Sequence, residues 1–398
     1  MVNILIVGGG IGGVALALAL ARHGIASTLV EAAPVLGEIG AGIQLGPNAF
    51  HALESLGLTD LLLRDAVTVK AFDLMNADTG GRIRQFDLAD PFRARFGYPY
   101  AVVHRADLHT ALLRNAEATG LVDIRTDHRV TGYTRTGERA RLHLAGRPDL
   151  EADLIIGADG IRSAIREAML GDGPPRVSGH STFRSVIPLE KMPEDLRWDS
   201  MTIWVGHKVH VVHYPLKGWK SFNLVATVHE ANDRPVAGEP VANDHVLRVF
   251  GHLSDTVLRA ITAGEDWKRW VLCDRDPVLT WADGNVLLLG DAAHPTLQYF
   301  AQGACMAIED AVCLAGLIES GRNTASIAAD YSRERQARTA RVQIGSRLIG
   351  DNVFHPGGAA AAARDDVFAN MTNPAFYDHM SWLYDYRVDQ RVAAIGGV

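Results

Sequence analysis

The chain has 398 residues, of which 47% are hydrophobic and 21% charged, and its formal net charge is −7. This length predicts roughly two to three domains, and the composition is that of a globular protein with a large core. The acidic balance argues against a nucleic-acid partner, and the three cysteines, with no C-x-x-C pair or zinc spacing, indicate a reducing, cytoplasmic setting.

The first element is the apolar run NILIV at residues 3–7, which predicts a strand buried on both faces. Gly8, Gly10 and Gly13 follow in G-x-G-x-x-G spacing, and the helical pattern VALALALARH comes next. In such a turn the first glycine permits the tight bend, the second lets a pyrophosphate approach the backbone, and the third lets the helix pack on the strand. These glycines also interrupt the apolar opening, which argues against a membrane segment.

The second predicted strand, IASTLVE, ends at Glu31, 18 residues after Gly13. An acid at this distance can accept hydrogen bonds from a ribose, so the strand–helix–strand unit predicts a dinucleotide site that includes Glu31. A glycine-rich loop, GEIGAGIQLGPNA at Gly37–Ala49, follows and carries Gln44. Taken alone, this loop is equally typical of a flexible surface segment.

An antiparallel sheet is predicted from two separate regions. Residues 71–88, AFDLMNADTGGRIRQFDL, predict a hairpin. Between Gly179 and His229 the segments STFRSVIP, MTIWVGHKVHVVHYPL and WKSFNLVATVHE alternate in polarity or run β-branched. We expect these strands to form a roof over the dinucleotide site.

Two further strand-to-helix turns carry an acid between small residues. ADLIIGADG places Asp159 after a buried strand, and VLLLGDAAHP places Asp291 and Pro295 after another. A second small-residue loop, with Gly303 and Ala304, then precedes the helical segment ACMAIEDA. Each turn by itself is also explained by an ordinary strand–turn–helix joint with an acidic helix cap.

Three histidines, His207, His210 and His213, are spaced by three residues in a segment with strand composition. Spacing of three alternates faces on a strand, which argues against a shared metal site. One interpretation places one histidine inside and two at the surface. The other places His210 in the cavity beneath the roof.

The order of the three turns, G-x-G-x-x-G, then G-A-D-G, then G-D-A-A-H-P, resembles that of the flavoprotein aromatic hydroxylases, single-component FAD monooxygenases, over nearly the whole chain. The resemblance implies tightly but non-covalently bound FAD, with Asp159 among the residues that bind it. It implies that Asp291 binds the ribityl chain and that the loop after Pro295 holds the flavin ring. The helix beginning near Gly303 and Ala304 would point its positive end at the pyrimidine edge, where reduced flavin carries negative charge.

The same resemblance implies roles for two earlier segments. Gln44 would lie in the loop that flanks the flavin, and Arg105, in HRADLHTALL, would reach the FAD phosphate region. An arginine at a helix N-terminus is otherwise a common surface residue. No second G-x-G-x-x-G is present, so the resemblance implies that NADH or NADPH visits the flavin transiently, as a co-substrate with O₂.

The expected fold class is α/β: a Rossmann-like FAD-binding domain with an interleaved antiparallel β-sheet substrate domain and a helical C-terminal tail. The expected ranges are 1–70, 101–178 and 283–345 for the FAD-binding domain, 71–100 and 179–282 for the substrate domain, and 346–398 for the tail.

Within the family the chain most resembles the 3-hydroxybenzoate 6-hydroxylases, in segments such as KVHVVHYPLKG, HPTLQYFAQGACMAIEDA and WLYDY. That resemblance implies a pocket lined by Tyr100, His210 and Gln298, and a product that is 2,5-dihydroxybenzoate. A histidine whose pKa lies near neutral can accept the phenolic proton or a strong hydrogen bond, and we expect His210 to do so. Tyr100 and Gln298 would orient the substrate.

Alternatives stay open on the sequence alone. Salicylate 1-hydroxylase and 6-hydroxynicotinate 3-monooxygenase have similar flavin loops, and a flavin-binding regulator without turnover would share them too. Arg184 is a candidate anchor for the substrate carboxylate, but a solvent-facing role fits its position equally. The aromatic tail could pack on the body or mediate contact within a homodimer.

Overall fold

The computed structural model describes residues 2–37, 42–231 and 234–396. Part of the predicted glycine-rich loop, residues 38–41, therefore lies outside the described residues. In chain order, the strands are β1 (Ile4–Val7), β2 (Ser27–Val30), β3 (Gly42–Leu45), β4 (Val67–Thr68), β5 (Ala71–Asn76), β6 (Arg82–Asp87), β7 (Ala101–His104), β8 (Val122–Arg125), β9 (Val130–Thr136), β10 (Arg139–Leu144), β11 (Leu150–Ala152), β12 (Leu154–Gly157), β13 (Arg176–Pro188), β14 (Ser200–Gly206), β15 (Val209–Leu216), β16 (Ser221–His229), β17 (Glu239–Pro240), β18 (Lys268–Asp274), β19 (Ala282–Asp283) and β20 (Val286–Leu288).

The α-helices are α1 (Ile11–Arg22), α2 (Pro47–Ser55), α3 (Thr59–Asp65), α4 (Asp90–Phe96), α5 (Arg105–Ala118), α6 (Ala164–Leu170), α7 (Asn243–Phe250), α8 (Asp255–Thr262), α9 (Gly303–Glu319), α10 (Thr324–Ile349), α11 (Gly358–Asn370), α12 (Asn373–Tyr384) and α13 (Val388–Gly396). Short 3₁₀ turns lie at Leu189–Lys191, Glu194–Leu196, Gly290–Ala292 and Gln298–Phe300, and a π turn lies at Gly350–Phe354. Across the described part of the chain, none of the helices has both the length and the hydropathy that a bilayer crossing requires.

The first layer is a six-stranded sheet in the order β19-β20-β12-β1-β2-β8. All of its strands run parallel except the edge strand β19. The residues of β1, β12 and β20 are buried throughout, as expected for parallel strands covered on both faces. The three predicted turns follow these three adjacent strands, so their loops meet at one edge of the sheet.

The second layer is an eight-stranded, mainly antiparallel sheet in the order β17-β18-β13-β16-β15-β14-β5-β6. The predicted hairpin β5–β6 joins it through a parallel pairing of β5 with β14. The face turned away from the cavity packs in a separate core with helices α7 and α8. The α/β fold class with both sheets and C-terminal helices is confirmed.

The aromatic residues of the C-terminal helices pack on the body of the protein. Phe376 stacks on Phe86 of β6 with ring centroids 4.2 Å apart. Tyr384 meets Phe92 and Phe96 of α4 edge-on at 5.7 and 5.5 Å. The tail is therefore part of the folded core rather than an appendage.

Candidate active site

The turn between β1 and α1 has the backbone geometry that its glycines predict. Gly8 has φ of +105°, and a Cβ there would lie 2.4 Å from the carbonyl oxygen of Ala158. A Cβ on Gly13 would lie 2.0 Å from the carbonyl oxygen of Gly8, so only glycine lets α1 approach β1 this closely. Gly10 precedes the first turn of α1 and lines a large cavity.

Glu31, at the end of β2, faces the same turn. Its Oε2 accepts a hydrogen bond from the Gly9 amide at 2.7 Å, and its Oε1 accepts one from the Ala33 amide at 2.7 Å. Each carboxylate oxygen keeps a further lone pair, so Glu31 can both hold the turn and accept from a ribose hydroxyl. Its role toward a ribose stays a prediction.

Asp159 caps the N-terminus of helix α6. Its carboxylate accepts hydrogen bonds from Ser163 Oγ at 2.5 Å and from the Ala164 amide at 2.7 Å, at the start of α6. Burial raises the pKa of Asp159 despite these bonds. The geometry thus fits the capping interpretation, and a direct contact of Asp159 with FAD stays a prediction.

The third turn is held by a buried ionic network. Asp310, on α9, accepts hydrogen bonds from the Gly290 amide at 3.1 Å and from His294 Nε2 at 2.5 Å. Arg335 of α10 donates to Asp310 Oδ1 at 2.7 Å and is itself fully buried. This network fixes the loop that presents Asp291 to the cavity. Its ion pairs lower the pKa of Asp310 to about 2 against the opposing effect of burial.

The loop after Pro295 leads from this network to the cavity wall. Pro295 is buried, and its carbonyl accepts a hydrogen bond from Gln343 Nε2 of α10 at 3.2 Å. This bond fixes the backbone of the loop on α10. The next residues, Thr296 and Leu297, line the cavity.

The N-terminus of α9 opens onto the same cavity through Gly303 and Ala304. Gln302, which precedes the helix, is 1% exposed and also lines the cavity. Its Oε1 accepts a hydrogen bond from Asn48 Nδ2 at 2.9 Å. Within the described residues its Nε2 has no hydrogen-bond partner. A buried amide N–H without a partner is costly, so this atom marks a place where a ligand acceptor belongs.

The cavity has a volume of about 1240 Å³ and runs from the β1–α1 turn to the roof sheet. Arg105, at the start of α5, and Gln44, on β3, both line it. On the roof, cross-strand partners share a face. The cavity face carries these lining residues: Phe72, Arg184, Met201, Ile203, His210, Val212, Tyr214 and Val225.

The three histidines do not converge. His210 lines the cavity and is 1% exposed, as predicted by the interpretation that placed it there. His213 is also 1% exposed, on the opposite face, where its Nδ1 accepts a hydrogen bond from Trp204 Nε1 at 3.1 Å. His207 is exposed in the turn before β15. The alternative of one buried and two surface histidines is therefore wrong, because a second hydrophobic core covers the outer face of the sheet.

His210 shares a hydrogen bond with a histidine 145 residues away. Its Nδ1 lies 2.7 Å from Nε2 of His355, which follows the π turn after α10. Because Nδ1 is occupied, Nε2 is the nitrogen that remains for a ligand. Burial lowers the pKa of His210 well below its usual range, and the neighbouring His355 and His180 add to this effect. This direction differs from the near-neutral pKa expected from the sequence and favours the neutral form of the ring.

Gln298 lies against the row of the roof that contains His210. His210 pairs across the sheet with Thr227, and Thr227 pairs with Thr182. Gln298 Nε2 donates to the hydroxyls of Thr182 and Thr227, at 3.2 and 3.1 Å, while its Oε1 accepts from Arg184 Nη2 at 2.9 Å. Both amide hydrogens are thus used, and a lone pair on Oε1 remains for a substrate hydroxyl.

Tyr100 lies in the same cavity, and its hydroxyl donates to Gln44 Oε1 at 2.5 Å. Burial raises the pKa of Tyr100 well above its usual range, so the phenol stays protonated. Tyr214, which sequence reasoning missed, also lines the cavity and hydrogen-bonds to Gln44. The period of two along β15, from His210 to Val212 to Tyr214, could have identified it.

Comparison with known proteins decides the family. The family described as FAD binding domain matches residues 1–345. The chain belongs to this FAD-binding family. It is 50% identical over 384 residues to 3-hydroxybenzoate 6-hydroxylase 1 of Aquipseudomonas alcaligenes, covering 96% of this chain and 97% of that one.

Other relatives agree with this assignment. The chain is 40% identical to the 3-hydroxybenzoate 6-hydroxylase of Polaromonas naphthalenivorans, covering 98% of this chain and 97% of that one. Among solved structures, HpxO of Klebsiella pneumoniae complexed with FAD and uric acid superposes with a TM-score of 0.84 at 25% identity, covering 98% of this chain and 97% of that one.

FAD is the cofactor of this family, and the described residues fit it. The absence of side chains at Gly8 and Gly13 keeps the β1–α1 turn tight, and Gly10, which would meet the pyrophosphate, lines the cavity at the N-terminus of α1. At the other end of the cavity, the unpartnered Nε2 of Gln302 and the first amides of α9 offer donors to the flavin carbonyls. The cavity therefore has hydrogen-bond donors near the β1–α1 turn, where the pyrophosphate of FAD would lie, and at α9, where its flavin ring would lie.

Proposed function

We propose that this FAD-dependent hydroxylase converts 3-hydroxybenzoate to 2,5-dihydroxybenzoate, with NADH or NADPH and O₂ as co-substrates. The carrying observation is that His210, a buried histidine of the roof, faces the cavity on the same cross-strand row as Thr227, to which Gln298 donates a hydrogen bond. The 50% identity to a 3-hydroxybenzoate 6-hydroxylase supports the choice of substrate. FAD, once reduced by NADH or NADPH, would activate O₂, which is the source of the oxygen atom added to the ring.

The residues of the chain would prepare the ring for attack. His210 would form a strong hydrogen bond with the phenolic oxygen through Nε2, and the lone pairs of that oxygen make the para carbon of the ring electron-rich. Gln298 would accept from the same hydroxyl through Oε1, and Tyr100, which lines the same cavity, would help to orient the ring. The apolar side chains of the roof would exclude water, which limits the loss of reducing equivalents as hydrogen peroxide.

The test is the variant His210→Ala. We expect it to bind FAD normally but to form about 100-fold less 2,5-dihydroxybenzoate per NADH consumed, with the difference recovered as hydrogen peroxide. The matched control is His207→Ala, a histidine exposed in the preceding turn. Wild-type coupling in the His210 variant would remove this residue from the mechanism.

Rival substrates are separated by oxygen uptake against a panel of hydroxybenzoates and hydroxypyridines, with each product identified. Salicylate or 6-hydroxynicotinate as the preferred ring would favour the alternative hydroxylases. If no ring acid stimulates NADH oxidation, the regulator interpretation is favoured.

The domain ranges given above, a cytoplasmic location and a homodimer complete the proposal. Exposed apolar side chains on α10 and α11, namely Ile344, Leu348 and Val367, support contact between two copies. Sedimentation analysis that gives a single monomeric species would contradict the homodimer.

A further inference from the structure

One cation in the cavity has no counter-charge among the described residues. Arg184 lies on β13, opposite Val225 and beside Lys268, and its side chain lines the cavity. Its guanidinium carbon is 5.2 Å from the ring centroid of Trp270, and Nη2 donates to Gln298 Oε1 at 2.9 Å. Its Nε is buried and has no hydrogen-bond partner in the part of the chain that the structure describes. The solvent-facing alternative considered from the sequence is therefore wrong.

Two fully buried arginines elsewhere in the chain, Arg166 and Arg335, have the acidic partners that Arg184 lacks. Arg166 pairs with Asp172 at 2.6 Å, and Arg335 pairs with Glu309 and Asp310, each at 2.7 Å. Over residues 2–37, 42–231 and 234–396, no aspartate or glutamate forms an ion pair with Arg184. Burial lowers the pKa of Arg184, and the charge of Arg105 adds to that effect. A buried guanidinium without an acid is costly, unless a ligand brings the anion.

We propose that Arg184 binds the carboxylate of the ring substrate. A guanidinium presents its donors in a planar fork that matches a carboxylate, and Nε together with the free Nη hydrogens supplies that fork here. The identity of the ring rests on the proposed function, but the anion site does not. It predicts a preference for ring acids over neutral rings of the same shape.

Arg184 also ties the carboxylate site to the hydroxyl site. Because Nη2 holds Oε1 of Gln298, the amide is forced to turn its nitrogen toward Thr182 and Thr227. Gln298 therefore cannot flip, and the lone pair that remains on Oε1 keeps a fixed direction. One arginine thus binds one end of the substrate and orients the residue that contacts the other end.

The position of Arg184 favours a ring carboxylate over a phosphate of a dinucleotide. It lies on the roof face that carries His210, Val212 and Tyr214, whereas the glycine turn expected to hold the phosphates lies between β1 and α1 on the other sheet. Arg105, whose charge reaches Arg184, lies in the same cavity and is the residue expected to contact the phosphates. The competing outcome is that Arg184 binds a phosphate of NADH or NADPH, and the experiment below separates this outcome from binding of the substrate carboxylate.

The experiment compares benzoate with benzamide, which differ in charge but not in ring shape. Their dissociation constants are measured from the flavin absorbance change of the holoenzyme, for wild type, Arg184→Gln and Arg184→Lys. We expect Arg184→Gln to bind benzoate about 10- to 100-fold more weakly and benzamide within about threefold of wild type. Arg184→Lys keeps the charge and should recover part of the benzoate affinity.

The control is Arg269→Gln, on the neighbouring strand β18 but on the other face, where Arg269 pairs with Glu239. FAD content and thermal melting establish that each variant is folded. Equal losses for benzoate and benzamide, unchanged benzoate binding, or an effect confined to the KM of NADH would each overturn the proposal. If benzoate binding responds as expected while 3-hydroxybenzoate yields no product, only the proposed function fails.

Discussion

Replacing His355 tests whether the cavity histidine depends on a partner from the C-terminal segment. In His355→Leu the hydrogen bond to His210 Nδ1, 2.7 Å long, is lost. His210 is 1% exposed and His355 7% exposed, so water cannot take the place of the lost partner. His210 would then be free to rotate, and its Nδ1 would be left without a partner.

The size of the effect follows from the cost of that unmade bond. Leaving a buried polar atom unsatisfied costs about 1–3 kcal/mol. If this whole cost raises the free energy of the transition state, kcat/KM falls by about 5- to 150-fold. The pair has one shared proton, because one ring must donate and the other accept. Nδ1 of His355 has no partner among the described residues, so the arrangement in which it carries no hydrogen is the less costly one. His355 would then donate from Nε2, and His210 would present its own N–H to the substrate.

The assay measures product formed per NADH consumed, with FAD content and melting temperature recorded for each variant. We expect His355→Leu to bind FAD and to lose coupling, and His355→Gln, whose amide reaches the position of Nε2, to recover most of it. His207→Leu is the control, because the ring of His207 lies against Gly357 of the same segment without contacting His210. A kcat/KM of His355→Leu within twofold of wild type, or equal defects in the Leu and Gln variants, would refute the reasoning.

Two predictions concern the cofactor framework. In Gly13→Ala the new Cβ would lie 2.0 Å from the Gly8 carbonyl oxygen, so we expect the purified protein to lose most of its FAD absorbance; stoichiometric FAD would contradict this. The pKa of Asp310 is lowered to about 2, so its stabilisation is complete above the unfolded value of about 4 and is lost as the pH falls toward 2. Urea unfolding should show this decline in wild type and a shallower one in Asp310→Asn, and identical pH slopes would refute it.

Local backbone chemistry explains why the cofactor loops could be predicted from the sequence. The positive φ of Gly8 and the close packing of Gly13 on Gly8 belong to one turn, and the spacing of these glycines is visible in the sequence. The alternation of β15 likewise placed His210 on one face and His213 on the other, because the period of a strand is a local property.

Contacts between distant segments could not be predicted in this way. The burial of His213 depends on Trp204 and on helices α7 and α8, which cover the outer face of the roof. The low pKa of His210 depends on burial and on His355, and nothing in the local pattern joins those two histidines. For Arg184, the deciding fact is that the described residues pair no acid with it, which only the packed chain reveals.

The hydrogen bond between His210 and His355 shows that the active site depends on a residue beyond the part of the chain that the family match covers. The family match stops at residue 345, whereas the ring that holds His210 sits ten positions further along. A protein truncated at the recognised boundary would retain every cofactor loop and yet lack half of that pair. A substitution at His355 would therefore change the surroundings of His210 without altering any residue of the matched region.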